Sequence, residues 1–144
     1  MNYAVLLALL LFPSLAYADA DLPATRAKAE AGEAAAEYQI GLKYYQGSSV
    51  GQNYAEAAKW FRKSAQQGFA MAQFDLGVMY SSGKGVTQDD QQAYVWLSLA
   101  AQQEKSAGAS KALDLAAKRL STEALAKAQK QAAKRFEEIK RKQK

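Results

Sequence analysis

Residues 36–47, AEYQIGLKYYQG, return as residues 72–83, AQFDLGVMYSSG, with no insertion or deletion between the copies. The likeness runs on behind each stretch: Val50, Asn53, Ala57, Trp60 and Ala65 recur as Val86, Asp89, Ala93, Trp96 and Ala101, each displaced by 36 residues. A fixed period of this length marks a helical solenoid. One repeat is a helix pair that cannot bury its apolar side alone and stacks on its neighbours. The expected fold is therefore all-α, a row of stacked antiparallel helix pairs.

Each recurring residue has a physical reason. Ala36, Ile40 and Tyr44 are spaced by four and share one face of the first helix, with Gly41 beside them. A glycine inside a helix costs about 1 kcal/mol relative to alanine, so finding it again as Gly77 predicts a helix crossing too close to admit a Cβ. In the second helix Ala57, Trp60, Phe61, Ser64 and Ala65 set a large aromatic among small residues, and Trp96, Leu97, Ala100 and Ala101 do the same. Asn53 with Glu56, and Asp89 with Gln92, have the spacing of an N-cap and its partner. Gly68 follows Gln67 as a left-handed stop, and Glu104 replaces that glycine one period later, so the turn there must differ.

The pattern A-x-Y-x-I-G-x-x-Y-x-x-G, with V-x-x-N-x-x-x-A-x-x-W behind it, resembles the Sel1-like repeat, a relative of the tetratricopeptide repeat. The resemblance divides the chain into a half-repeat helix at 19–33, repeats at 34–69 and 70–105, and capping helices with a basic tail at 106–144. Arg26, Ala29 and Gly32 align with Arg62, Ala65 and Gly68, which carries the half copy. The third copy decays, with Gly108, Ser110, Leu113 and Ala116 at signature positions, as a cap should. The resemblance implies a right-handed α-solenoid that binds protein rather than turning over substrate. It also implies that the first helices line the concave side. Positions there that the signature leaves free are the candidate protein-binding residues: Glu37, Gln39, Lys43 and Tyr45 in one copy, and Gln73, Asp75, Met79 and Ser81 in the next. Tyr45 leads, because the other copy has serine in its place and tyrosine is a common interface anchor.

Ahead of the repeats, residues 3–12 form the apolar run YAVLLALLLF, interrupted by Pro13 and Ser14, and Ala16-Tyr17-Ala18 has the small-x-small form of a signal-peptidase site. The run is shorter than the ~20 residues a spanning helix needs, so residues 1–18 read as a cleavable signal peptide, with export to a bacterial periplasm. The segment ahead of the run holds no Lys or Arg. No cysteine is present anywhere, so stability must come from helix stacking rather than disulfides.

The net charge of +5 belongs to the tail: residues 19–104 carry seven basic against ten acidic side chains, and residues 105–144 carry twelve against four. In the tail Leu125, Ala128, Ala132, Phe136 and Ile139 form an apolar stripe at helical spacing, with Ser121 placed as N-cap and Lys127, Lys130, Lys134, Arg135 and Lys140 off the stripe. The favoured reading is a capping helix over the last repeat; peripheral contact with an anionic membrane through this basic helix is the lesser alternative. Nucleic acid is not an expected partner of an exported chain with an acidic body.

Catalysis has little to work with. The absence of histidine removes the usual general base, and that of cysteine the thiol nucleophile. Ser81 and Lys84 have the S-x-x-K spacing of penicillin-binding serine enzymes, but Lys84 lies between two glycines in a loop and no K-T-G companion exists. No enzymatic activity, cofactor or metal is expected. The expected role is an exported interaction module, either an adaptor or regulator of an envelope complex or an immunity protein that neutralises a toxin delivered to the periplasm. A cell-wall-active enzyme is the weakest of the three readings.

Overall fold

The computed structural model describes residues 21–103 and 107–144. The proposed signal peptide at 1–18 and the turn at Glu104 lie outside them. Among the described residues there are seven helices and no strand: α1 (Leu22–Glu30), α2 (Ala34–Gln46), α3 (Tyr54–Gln66), α4 (Ala70–Ser82), α5 (Asp90–Gln103), α6 (Ala107–Lys118) and α7 (Thr122–Lys142). Helices α2 and α3 pair, α4 and α5 pair, and each pair stacks on the next, giving the all-α solenoid that the 36-residue period implies.

The local signals act where the spacing put them. Asn53 and Asp89 each accept a bond from the backbone N–H three residues on, at 3.0 Å in both copies, which satisfies an otherwise orphaned donor of α3 and of α5. Gly68 follows the C-cap of α3 at φ 94°, a left-handed conformation that glycine adopts without strain. A Cβ at Gly41 would stand 2.5 Å from the Phe61 ring, and one at Gly77 would stand 2.7 Å from Leu97 Cγ. Phe61 and Leu97 are themselves 36 residues apart. Both glycines therefore serve one repeated close crossing between the paired helices.

The core runs along the stack. Ala57, Phe61, Ala65, Leu76 and Trp96 form its centre. Ala29, Ala36 and Ile40 continue it toward α1, and Ala93, Val95, Leu97, Ala128 and Ala132 toward α7. Two hydrogen-bond patterns repeat with the period: Arg26 donates to Tyr44 Oη as Arg62 does to Tyr80 Oη, at 3.0 and 2.8 Å. Gln67 donates to Glu37 as Gln103 does to Gln73, at 2.8 and 2.7 Å.

Beyond α5 the pattern breaks. Leu113 stands 36 residues after Gly77, so α6 offers no gap for a close partner. Helix α7, capped by Ser121 Oγ at 3.2 Å from the Ala124 N–H, packs against α5 rather than pairing with α6. Its expected stripe is consumed there: Ala128, Ala132 and Ile139 are buried, Leu125 and Phe136 partly so. Arg135 lies over the Trp96 ring, 4.4 Å from its centroid, and Gln143 Nε2 donates to Gln67 O at 2.9 Å. The helix is thus a strap over the last full repeat that reaches back to the α3–α4 turn.

Candidate protein-binding groove

Helices α2 and α4 wall a groove of about 190 Å³, lined by Leu42, Tyr45 and Gln46 from α2 and by Asp75, Val78, Met79 and Ser82 from α4, with Phe61 of α3 at its floor. The pairing of each helix with its own second helix sets which residues face it. Met71, Asp75, Val78 and Ser82 follow one another at the three-four spacing of a helix face, and the same positions one period earlier are Ala35, Gln39, Leu42 and Gln46. Met71 and Val78 are 45% and 39% exposed, two of the three exposed large apolar side chains among the described residues.

Asp75 is the one charged side chain lining the groove. Its Oδ2 accepts a hydrogen bond from Tyr38 Oη at 2.9 Å. Burial pushes its pKa above the ordinary carboxylate value, against the opposing effect of the Tyr38 bond. Among the described residues the ion pairs are Lys59 with Glu56 and Arg119 with Asp90, and Asp75 belongs to neither.

Of the residues singled out from the sequence, Gln39 is exposed on the α2 face, and Asp75 and Tyr45 line the groove. Lys43 is half-buried and is not among the residues lining it. Three others are buried rather than open to solvent. Gln73 is fully buried, donating to Ala65 O at 3.1 Å and accepting from Gln103. Glu37 is 5% exposed and held by Gln67, its pKa raised by burial with the Gln67 bond and the Lys63 charge opposing. Met79 is 2% exposed, a core residue whose side chain also forms part of the groove floor. Glu37 and Gln73 turn inward to a glutamine at the end of their own paired helix, and Met79 packs into the core, so none of the three is free because it meets solvent.

Tyr45 is also less free than its position suggests. Its ring meets Tyr54 edge-on at 5.1 Å, and Lys84 lies over both rings, 5.3 and 4.8 Å from their centroids. Ser81 Oγ accepts from Arg119 at 2.9 Å while Lys84 donates to Tyr45 Oη at 3.4 Å, so the S-x-x-K pair is drawn to separate partners. Leu42, Gln46, Val78, Ser82 and Met71 were missed in the sequence; stepping by three and four from Asp75 and Gln39 finds them.

Two larger hollows lie elsewhere, of about 440 Å³ beside Arg62 and Tyr80 and about 420 Å³ beside Glu37 and Gln67. In both, those polar groups already bond one another. Among the described residues no cluster of acidic side chains could hold a metal ion, and no helix is long and apolar enough to cross a membrane.

A family model for the Sel1 repeat matches residues 34–69 and 70–105. Among solved structures, the chain is similar to a protective antigen of uropathogenic Escherichia coli strains that displays an SLR fold, with 31% identity and a TM-score of 0.76 over 80% of this chain and 25% of that one. It is also similar to a Sel1 repeat protein from Oxalobacter formigenes, with 37% identity and a TM-score of 0.65 over 67% of this chain and 28% of that one. The chain thus spans about a quarter of the length of these two proteins. The comparison with curated proteins returned no match.

Proposed function

We propose that this chain, which belongs to the Sel1 repeat family of protein–protein interaction modules, is exported to the periplasm and there serves as an adaptor or regulator of an envelope complex, docking its partner in the α2–α4 groove. The observation that carries the docking surface is the coincidence on one helix face of exposed Val78 and Met71 with Asp75, a carboxylate bonded by Tyr38 but in none of the ion pairs among the described residues. Solvated apolar side chains beside a carboxylate with no cation are what a partner covers. Export is supported by the apolar run at 3–12 and the Ala16-Tyr17-Ala18 site. The absence of histidine and cysteine favours binding over catalysis.

Site-specific photo-crosslinking in cells tests the proposal. A photoreactive residue at Gln39 or Val78 should capture one dominant envelope protein, whereas one at Lys130, on the exposed face of α7, should not. Equal capture from all three positions would reject the groove as the docking surface. An immunity protein would instead give a groove crosslink only when the cognate toxin is present. Intact-mass measurement of the periplasmic protein checks export: a chain beginning at Asp19 is expected, and one beginning at Met1 and sedimenting with membranes would reject it.

A further inference from the structure

The groove has a size, a lining and a charge that together describe its occupant. Its 190 Å³ falls below the roughly 300–1,000 Å³ of pockets that enclose a small molecule. At about 30 Å³ per water it holds on the order of six waters, room for one long side chain. The walls are aliphatic at Leu42 and Val78, the floor is Phe61 and Met79, Tyr45, Gln46 and Ser82 add neutral polar groups, and the one charged side chain is Asp75.

A side chain that suits this lining must be apolar along its length and positive at its tip. Lysine and arginine are built that way, burying a methylene stem along apolar surface while the charged head reaches a polar partner. A leucine or phenylalanine would fill the walls but leave the Asp75 carboxylate further desolvated with no countercharge beside the Tyr38 hydroxyl, and a glutamate would set like charge against it. Among the described residues no cation forms an ion pair with Asp75, and Lys84, which reaches the Tyr45 ring, is held over Tyr45 and Tyr54. That contact also shows that the Tyr45 ring, at the end of the groove, accepts a cation. Burial raises the Asp75 pKa, and a cation brought to the carboxylate would offset that effect.

We infer that the α2–α4 groove takes a Lys or Arg side chain of a partner polypeptide, its methylene stem between Leu42 and Val78 and its charged head on Asp75. The basic residue is flanked in the partner by apolar side chains that cover Met71 and the rim of the groove. This inference rests on the reading of the groove as the docking surface, and it adds the chemistry of what docks.

The test is selection of a random dodecapeptide display library on the purified mature protein and on two variants. On wild type the enriched peptides should carry Lys or Arg at one position between apolar residues. Asp75→Asn should lose that basic preference while still enriching the apolar flanks, and an enriched peptide should bind it about tenfold more weakly, the change that follows from roughly 1.4 kcal/mol. Val78→Glu, at a site already open to solvent, should lose both preferences; circular dichroism and melting confirm that each variant is folded. Enrichment of apolar peptides with no basic residue on wild type, or an unchanged basic preference on Asp75→Asn, would overturn the inference and leave the groove standing. Identical pools on wild type and Val78→Glu would overturn the groove itself, and a library that enriches nothing would overturn both.

Discussion

Replacing Gly41 or Gly77 by alanine tests whether the repeated glycine exists for the helix crossing. In an open helix the change is favourable, by about 1 kcal/mol of propensity. Here the added Cβ would lie 2.5 and 2.6 Å from two carbons of the Phe61 ring in one copy, and 2.7 Å from Leu97 Cγ with the Leu97 backbone N at 3.2 Å in the other. Phe61 and Leu97 are each 1% exposed, so shifting either side chain disturbs buried neighbours. Overpacking of this kind typically costs about 1–3 kcal/mol, and with so close an approach the upper part of that range applies. The net loss should be about 1–2 kcal/mol, or a fall in Tm of roughly 4–8 °C for a domain of this size. Thermal and urea unfolding followed by circular dichroism measure it. Gly108→Ala is the control, since a Cβ there meets nothing within 4 Å, and it should not lower Tm. In the Gly41→Ala background, Phe61→Leu should recover part of the loss and so show coupling across the crossing. A Tm for Gly41→Ala at or above wild type would refute the packing argument.

Three further outcomes are expected. Truncation after Arg119 removes α7 and uncovers Trp96, so the shortened chain should unfold at lower temperature and its tryptophan emission should shift to the red; unchanged melting would mean that the strap contributes nothing to the stack. Asn53→Ala and Asp89→Ala should each cost about 1 kcal/mol in urea unfolding, the value of a lost N-cap. Because burial raises the Asp75 pKa, its protonated form is favoured by folding: that stability is complete below the ordinary value of 3.8 and is lost as pH rises through the folded value. Asp75→Asn lacks this loss, so its Tm relative to wild type should climb as pH is raised from below 3.8 toward neutrality. Measuring the difference between the two proteins cancels Glu37, which is shifted in the same direction; a flat difference across that range would refute the assignment.

What the chain shows on its face is everything governed by local spacing. The 36-residue offset carries the helix pairs, Asn53 and Asp89 mark the starts of α3 and α5, Gly41 and Gly77 mark the crossings, and the α7 stripe predicts which face is covered. These are signals of helical period, caps and Cβ clearance, and each is complete within a few residues. The outward direction of a free position is not such a signal. Glu37 and Gln73 lie outside the repeated signature yet turn inward, because each meets a glutamine 30 residues later at the end of its paired helix. Val78 looks like one more core residue but stands in solvent, since the stack covers α4 on the other sides. The course of α7 was likewise decided only in three dimensions. Its stripe fits any apolar surface, and only the packing shows that it lies on α5, with Phe136 and Ile139 in the cluster of Trp96 and with Ile139 and Gln143 against Gly68.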